Sequence, residues 1–371
     1  MSGAEKFVRD ILVLADIQVN GSRPWDIQVQ NSAFFPRVMS GGSLALGESY
    51  MDGWWSCKKL DELMYRIIRA DLRSKIPKNI SLFFHWLRWR LCNVQSRRGS
   101  KVVAEEHYDL GNNLYEAFLD PYNQYTCGYF KDTDDLHTAQ EQKLDLMCRK
   151  LQLKESDRVL DIGCGWGGFS KFAAKNYGCS VTGITISKEQ QAYAKRFCEG
   201  LPVDIQLRDY RDVREKYDKV LICGMIEHVG YKNYRKIMEV VHNAMEDDGL
   251  FLLHTIGGDV SITAPEPWVD TYIFPNSMLP SIKQLAGAFE GLFVMEDWQN
   301  FGAFYEKTLL AWYTNFCTNW PKLKERYGDR FFRMFEYYFL SCAGGFRARY
   351  MQLWQVVLSK KGIEGGYMAP R

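Results

Sequence analysis

At 371 residues, with 46% hydrophobic and 25% charged side chains, the chain has room for one large domain or two moderate ones and lacks the composition of a disordered protein. Its 10 cysteines show no CxxC spacing and its 6 histidines no metal-ligand rhythm, which argues against a disulfide scaffold or a zinc site and for reduced thiols in a cytosolic protein. The net charge of +2 conceals an asymmetry: residues 1–104 hold 16 Lys and Arg against 9 Asp and Glu, a net +7, and the remainder stands at −5.

A basic N-terminal third implies an anionic partner, either nucleic acid or a membrane surface, or else a plain solvated face. The opening "MSGAEKFVRDILVLAD" mixes acids and bases with apolar residues, so it is no signal peptide. No apolar run reaches bilayer-spanning length, so any lipid contact is made from one side. Aromatic residues at 15% suit large apolar pockets or a lipid-facing surface.

In chain order, residues 1–78 read mostly as helices with loops. The first helix presents Phe7, Ile11, Leu12 and Leu14. "SLALGESYMDGWW" follows, punctuated by glycine. Next, Ile80, Phe83, Phe84, Leu87 and Leu91 recur at helical spacing, with Trp86, Trp89, Arg88 and Arg90 on other faces. Such a helix could lie in a bilayer interface or pack on the next domain. "QSRRGSK" (95–101) reads as a linker. We place a helical N-terminal domain at 1–94, a linker at 95–104 and a second domain at 105–371.

Beyond the linker, strands and helices alternate. "RVLDI" (158–162), "SVTGI" (180–184), "VDIQL" (203–207), "YDKVLIC" (217–223) and "GLFLLHTI" (249–256) are strands, separated by helical segments such as "GFSKFAAKNY". That order predicts a doubly wound α/β domain with a parallel sheet. Residues 257–292 look like an insertion or lid, and the runs at 292–298 and 353–361 could complete the sheet.

In "VLDIGCGWGGFS" (159–170) a strand enters Asp161, then Gly163, Gly165 and Gly167, then a helix. Glycines let the backbone turn sharply and approach a ligand. Asp161 would repel a pyrophosphate, and Thr185 stands where a dinucleotide fold often has an acid for the ribose. The loop resembles that of the S-adenosylmethionine (SAM) methyltransferases, whose ligand is phosphate-free and carries an ammonium and a sulfonium.

Together, "GESYMDGWW", "EEHYDLGNNLY", "DPYNQYTCGYF", "VLDIGCGWGGF", "ITISKEQ", "EHVGYKNY", "LLHTIG" and "FRARYMQLWQVV" resemble the cyclopropane-fatty-acyl-phospholipid synthases, end to end. The resemblance implies a Rossmann-like class I SAM methyltransferase fold with a seven-stranded, mostly parallel sheet. It implies methylene transfer from SAM to a cis double bond in a membrane phospholipid, with bound bicarbonate as base. By motif, Glu227 accepts from the bicarbonate hydroxyl; His254, Tyr305 and the Ile256 N–H donate to its oxygens; Cys127 lies beside it. Taken singly, Glu227 could cap a helix and His254 could be a core histidine. His228 is assigned to structure. Cys342 invites a nucleophile reading, but the reaction needs none, so it reads rather as a small buried residue near the pocket.

For SAM, the resemblance implies Tyr125 and Thr126 at the methionyl end, the Asp161–Gly163–Gly165–Gly167 loop beneath, Thr185 and Gln190 at the ribose, and Asp209 and Tyr210 bordering the adenine. It also implies homodimers; the reduced thiols and the basic, tryptophan-rich N-terminal third lead us to expect a cytoplasmic protein held peripherally on the inner face of the membrane, not on nucleic acid. A relative that methylates lipid or an amine without ring closure, and a lipid-surface protein with a decayed SAM site, are the rival readings.

Overall fold

Residues 1–75, 95 and 111–371 are described by the structure, a computed structural model of the chain. The interfacial-helix expectation at 80–91 and nearly all of the linker lie outside the described residues. The helices are α1 (Gly3–Val13), α2 (Phe34–Met51), α3 (Leu60–Arg69), α4 (Leu72–Lys75), α5 (Asn112–Glu116), α6 (Leu136–Lys150), α7 (Gly168–Tyr177), α8 (Lys188–Phe197), α9 (Tyr234–Ala244), α10 (Pro267–Tyr272), α11 (Ile282–Phe289) and α12 (Ala303–Arg347). The strands are β1 (Gln28–Val29), β2 (Trp55–Ser56), β3 (Arg158–Ile162), β4 (Ser180–Thr185), β5 (Val203–Leu207), β6 (Tyr217–Cys223), β7 (Met245–Gly258), β8 (Val294–Asn300) and β9 (Met351–Ser359).

Two compact units result. One comprises residues 1–93, 263–275 and 305–351, and the other 94–262, 276–304 and 352–371. The later chain does not stay in one body, because α10 and most of α12 join the N-terminal segment. Packing explains this. Trp268 of α10 meets the Tyr337 ring of α12 at 4.6 Å, and the Tyr50 hydroxyl donates to Glu336 at 2.5 Å. Of the face expected on α1, Leu12 is buried, whereas Leu14, one residue past the helix end, is 55% exposed; Val8 is buried as well.

The second unit holds a seven-stranded sheet in the order β5-β4-β3-β6-β7-β9-β8, parallel from β5 to β7 and antiparallel between β8 and β9. Alternation along each strand feeds two cores. Leu160, Ile162, Val220, Ile222, Phe251 and Leu253 pack on the side of α9 and α11, while Val159, Val181, Leu221, Leu250 and Leu252 pack on the side of α6 and α7. Side-chain caps fix where helices begin: Asp135 accepts from the Thr138 N–H, Ser187 from Gln190, and Ser281 with Gln284 forms a capping box. The stretch read as a lid is split. Thr263–Pro275 goes to the first unit, and α11 returns to pack on α9.

Candidate active site

The carboxyl ends of the parallel strands gather most of the expected residues, where sheets of this kind bind ligands. At the end of β3, Gly163 and Gly165 have φ of +79° and +54°. A Cβ on Gly163 would come within 2.7 Å of Met225, and one on Gly165 would meet open space, so the second glycine leaves room above the backbone. Gly167, also at positive φ, starts α7. Asp161 is turned inward, accepts from Ser170 Oγ at 2.8 Å, and burial pushes its carboxyl up to about 7. At the end of β4, Thr185 donates to Gln190 Oε1 at 2.9 Å. Past β5, Asp209 accepts from the Arg211 N–H and guanidinium, both at 2.9 Å, beside buried Tyr210.

Glu227 sits four residues past β6 in a single 3₁₀ turn, and His254 is paired with Cys223 across the sheet. Both are buried. Glu227 Oε1 accepts from the Ile256 N–H at 2.8 Å, so the backbone donor expected to face the bicarbonate ion is engaged by the carboxylate here. Glu227 Oε2 has no hydrogen-bond partner among the described residues, and neither has His254 Nε2. Burial pushes the Glu227 carboxyl up to about 7 and the His228 imidazole down to about 4. His254 is held well below the ordinary histidine range, first by burial and then by the Lys143 and Lys150 charges. It is therefore neutral at physiological pH. Gln355 Nε2 lies 3.2 Å from His254 Nδ1. With that amide donating, the ring carries its hydrogen on Nε2, which is then a buried donor.

Thr126 and Cys127 run alongside the end of β6. A Cβ on Gly224 would come within 2.7 Å of Thr126 Cγ2. The Cys127 thiol is fully buried, 3.2 Å from the Gly128 carbonyl. Tyr125 is set by Tyr115 and Phe118, whose rings it meets edge-on at 5.5 and 5.7 Å.

Two expected residues belong to the other compact unit. Tyr305 is buried there, stacked on Phe346 at 4.4 Å and edge-on to Trp312 at 5.9 Å. The Cys342 thiol is pushed up to about 12, by burial and then by the Glu266 carboxylate, so at neutral pH it is a thiol and a poor nucleophile.

Residues 95–356 match the family model for mycolic acid cyclopropane synthetase. The chain belongs to that family. Membership makes it an enzyme of the cyclopropane synthase group, and relatives span its whole length. It is 50% identical over 366 residues to cyclopropane-fatty-acyl-phospholipid synthase of Escherichia coli (strain K12), covering 99% of this chain and 96% of that one. It is 33% identical over 340 residues to a sphingolipid C9-methyltransferase of Komagataella phaffii, covering 84% and 69%. Among solved structures, the mycolic acid cyclopropane synthase CmaA1 complexed with SAH and CTAB superposes with a TM-score of 0.66 at 28% identity, covering 70% of this chain and 98% of that one. Coclaurine N-methyltransferase, at a TM-score of 0.71 and 21% identity, shares the methyltransferase fold.

Sequence reading missed Gln140, Lys143 and Gln355, all fully buried around this site. The first two sit in "TAQEQKLDLMCRK", which reads as a solvated helix face. Gln355 interrupts the apolar run "LWQVVL" and was the detectable signal, a polar side chain in the middle of a central strand.

Proposed function

We propose that the protein transfers a methylene from SAM to the cis double bond of unsaturated acyl chains in membrane phospholipids, closing a cyclopropane ring with bicarbonate as base. The observation that carries this reading is a pair of buried polar atoms without partners among the described residues, Glu227 Oε2 just past β6 and His254 Nε2 within the neighbouring β7. A buried acceptor and a buried donor on neighbouring elements suit a small oxyacid that offers one hydroxyl and accepts at its other oxygens. Ile256 holds the carboxylate in place, and Gln355 holds the imidazole.

The residues present also fit SAM. Open backbone over Gly165, a half-buried Thr126 hydroxyl, and the Thr185–Gln190 pair offer room and neutral hydrogen-bonding groups suited to a nucleoside with an amino-acid arm. When bound, SAM supplies an electrophilic methyl, and bicarbonate a base for the proton that ring closure releases. The chain's own residues orient these groups and keep water out of a reaction in which an alkene, a poor nucleophile, must attack. Tyr305, Cys127 and Cys342 complete the proposed set, with Asp209 and Tyr210 at the adenine end. The proposal further holds that the protein is a homodimer, works from the cytoplasmic side and binds the inner face of the membrane peripherally, without nucleic acid. No helix among the described residues is long and apolar enough to cross a membrane.

The test is incubation of purified protein with SAM and vesicles of monounsaturated phospholipid, with mass analysis of the released acyl chains. A gain of CH2 with loss of the double bond is expected, slowed in bicarbonate-free buffer and in Tyr305→Phe. Several relatives are methyltransferases by name, among them a probable fatty acid methyltransferase of Pseudomonas putida at 36% identity. A methyl-branched product carrying no ring would favour that second reading.

A further inference from the structure

Lys143 is buried in the second unit to 0% exposure. Its Nζ donates to two neutral oxygens, Gln124 Oε1 at 2.6 Å and Thr126 Oγ1 at 2.7 Å. Among the described residues the carboxylate that acts on this charge is Asp120, whose oxygens already accept the Tyr122 and Gln124 N–H groups at 2.8 Å. Desolvating an ammonium in this way is costly, and a methionine of similar length would fill the same space without that cost.

The geometry around Thr126 shows what the charge can do. The Thr126 carbonyl accepts from Gln140 Nε2 at 2.8 Å, one turn before Lys143 on the same face of α6. Its methyl lies against Gly224. Its hydroxyl oxygen is occupied from behind by the ammonium. A hydroxyl has one hydrogen, and an oxygen that accepts from a cation must point that hydrogen elsewhere. Cys223 Sγ, at 3.9 Å, donates weakly to the same oxygen. Thr126 is half-buried, so its free side can meet a ligand.

We infer that Lys143 is a positioning residue for the amino-acid end of the cofactor: donating to Thr126 Oγ1 from inside the protein, it turns the threonine hydroxyl outward as a polarised donor to the α-carboxylate of SAM. The inference rests on the SAM reading above. Charge-assisted donation strengthens the outward hydrogen bond, and the buried positive charge favours an anionic partner just beyond it.

The test compares two ligands by calorimetry. S-adenosylhomocysteine carries the amino-acid arm, and 5′-methylthioadenosine keeps the nucleoside and thioether but lacks that arm. In Lys143→Met, affinity for S-adenosylhomocysteine falls about tenfold or more, and affinity for methylthioadenosine stays within about twofold. Thr126→Val produces the same selective loss, and the double variant loses no more than either single one. Equal weakening of both ligands would assign Lys143 a general structural role and overturn the inference, as would unchanged S-adenosylhomocysteine binding. If Lys143→Met does not fold, Lys143→Gln, neutral and able to fill the site, is read the same way, with a selective loss of about threefold or more expected. Neither ligand requires lipid. A selective loss with no ring product would leave the inference standing and sink the cyclopropanation reading, whereas no binding of either ligand to the unaltered protein would sink both.

Discussion

Glu227 is an acid that folding weakens. Its carboxyl titrates near 4.5 in the unfolded chain and at about 7 in the folded one, because burial disfavours the charged form more than the Ile256 N–H favours it. The folded state therefore binds the proton more tightly. The group is neutral to stability below pH 4.5 and increasingly unfavourable as pH rises towards 7, a cost of about 3 kcal/mol above that. Glu227→Gln keeps an acceptor for Ile256 and removes the charge. We expect it to melt a few degrees higher at pH 8, to melt at the parent temperature at pH 4.5, and to form no ring product. Thermal melts at the two pH values check this, and a variant less stable at pH 8 contradicts it. Gln355→Leu probes the partner side chain. By freeing the His254 ring to take either tautomer, it should cut ring formation by about 10- to 100-fold while leaving S-adenosylhomocysteine affinity within about twofold. A parallel loss of cofactor affinity would mean that Gln355 supports the sheet rather than the imidazole.

The parallel strands that position these residues were readable because each announces itself twice, by β-branched alternation and by the turn that follows. Arg158–Ile162, Val203–Leu207 and Tyr217–Cys223 fall where the sequence puts them. The glycine loop was equally plain. The buried face of α6 was not, because Gln140 and Lys143 look like surface residues until the 124–126 backbone is folded against them. Nor was the departure of 263–275 and 305–351 to another unit, which depends on long-range ring packing such as Trp268 on Tyr337. Glu227 and His254 were legible only through their motifs, since neither side chain alone separates a ligand site from a satisfied core. The strand ends give a further prediction. Gly224 and Gly165 both sit at positive φ, but only at Gly224 would an added Cβ meet a neighbour, Thr126 Cγ2 at 2.7 Å. Alanine costs about 1 kcal/mol at each site for the left-handed backbone, and overpacking adds about 1–3 kcal/mol at Gly224. Denaturant unfolding of the ligand-free variants should rank Gly224→Ala below Gly165→Ala. The reverse order would mean that Thr126 gives way freely.

Across the whole molecule, charge is divided in a way that no local motif demands: residues 1–104 carry +7 and the remainder −5. A protein whose proposed substrate is itself a membrane component must reach that membrane, and an anionic bilayer attracts juxtaposed Lys and Arg by about 1 kcal/mol per charge near the surface. Four of the charges, Arg88, Arg90, Arg97 and Arg98, fall in an acid-free stretch outside the described residues. Changing all four to Glu takes the first 104 residues from +7 to −1. The parent protein should sediment with vesicles containing anionic phospholipid and be released as salt shortens the screening length. The quadruple variant should stay in solution. Recruitment and chemistry are then separated by presenting the same unsaturated lipid dispersed in detergent micelles, where no anionic surface is needed. There the variant should recover most of the parent's ring formation, with S-adenosylhomocysteine affinity unchanged in both. Sedimentation that survives the four substitutions would remove the basic third from the account of membrane contact. Ring formation that fails on micelles as well as on vesicles would place those arginines in folding or catalysis instead of at the lipid surface.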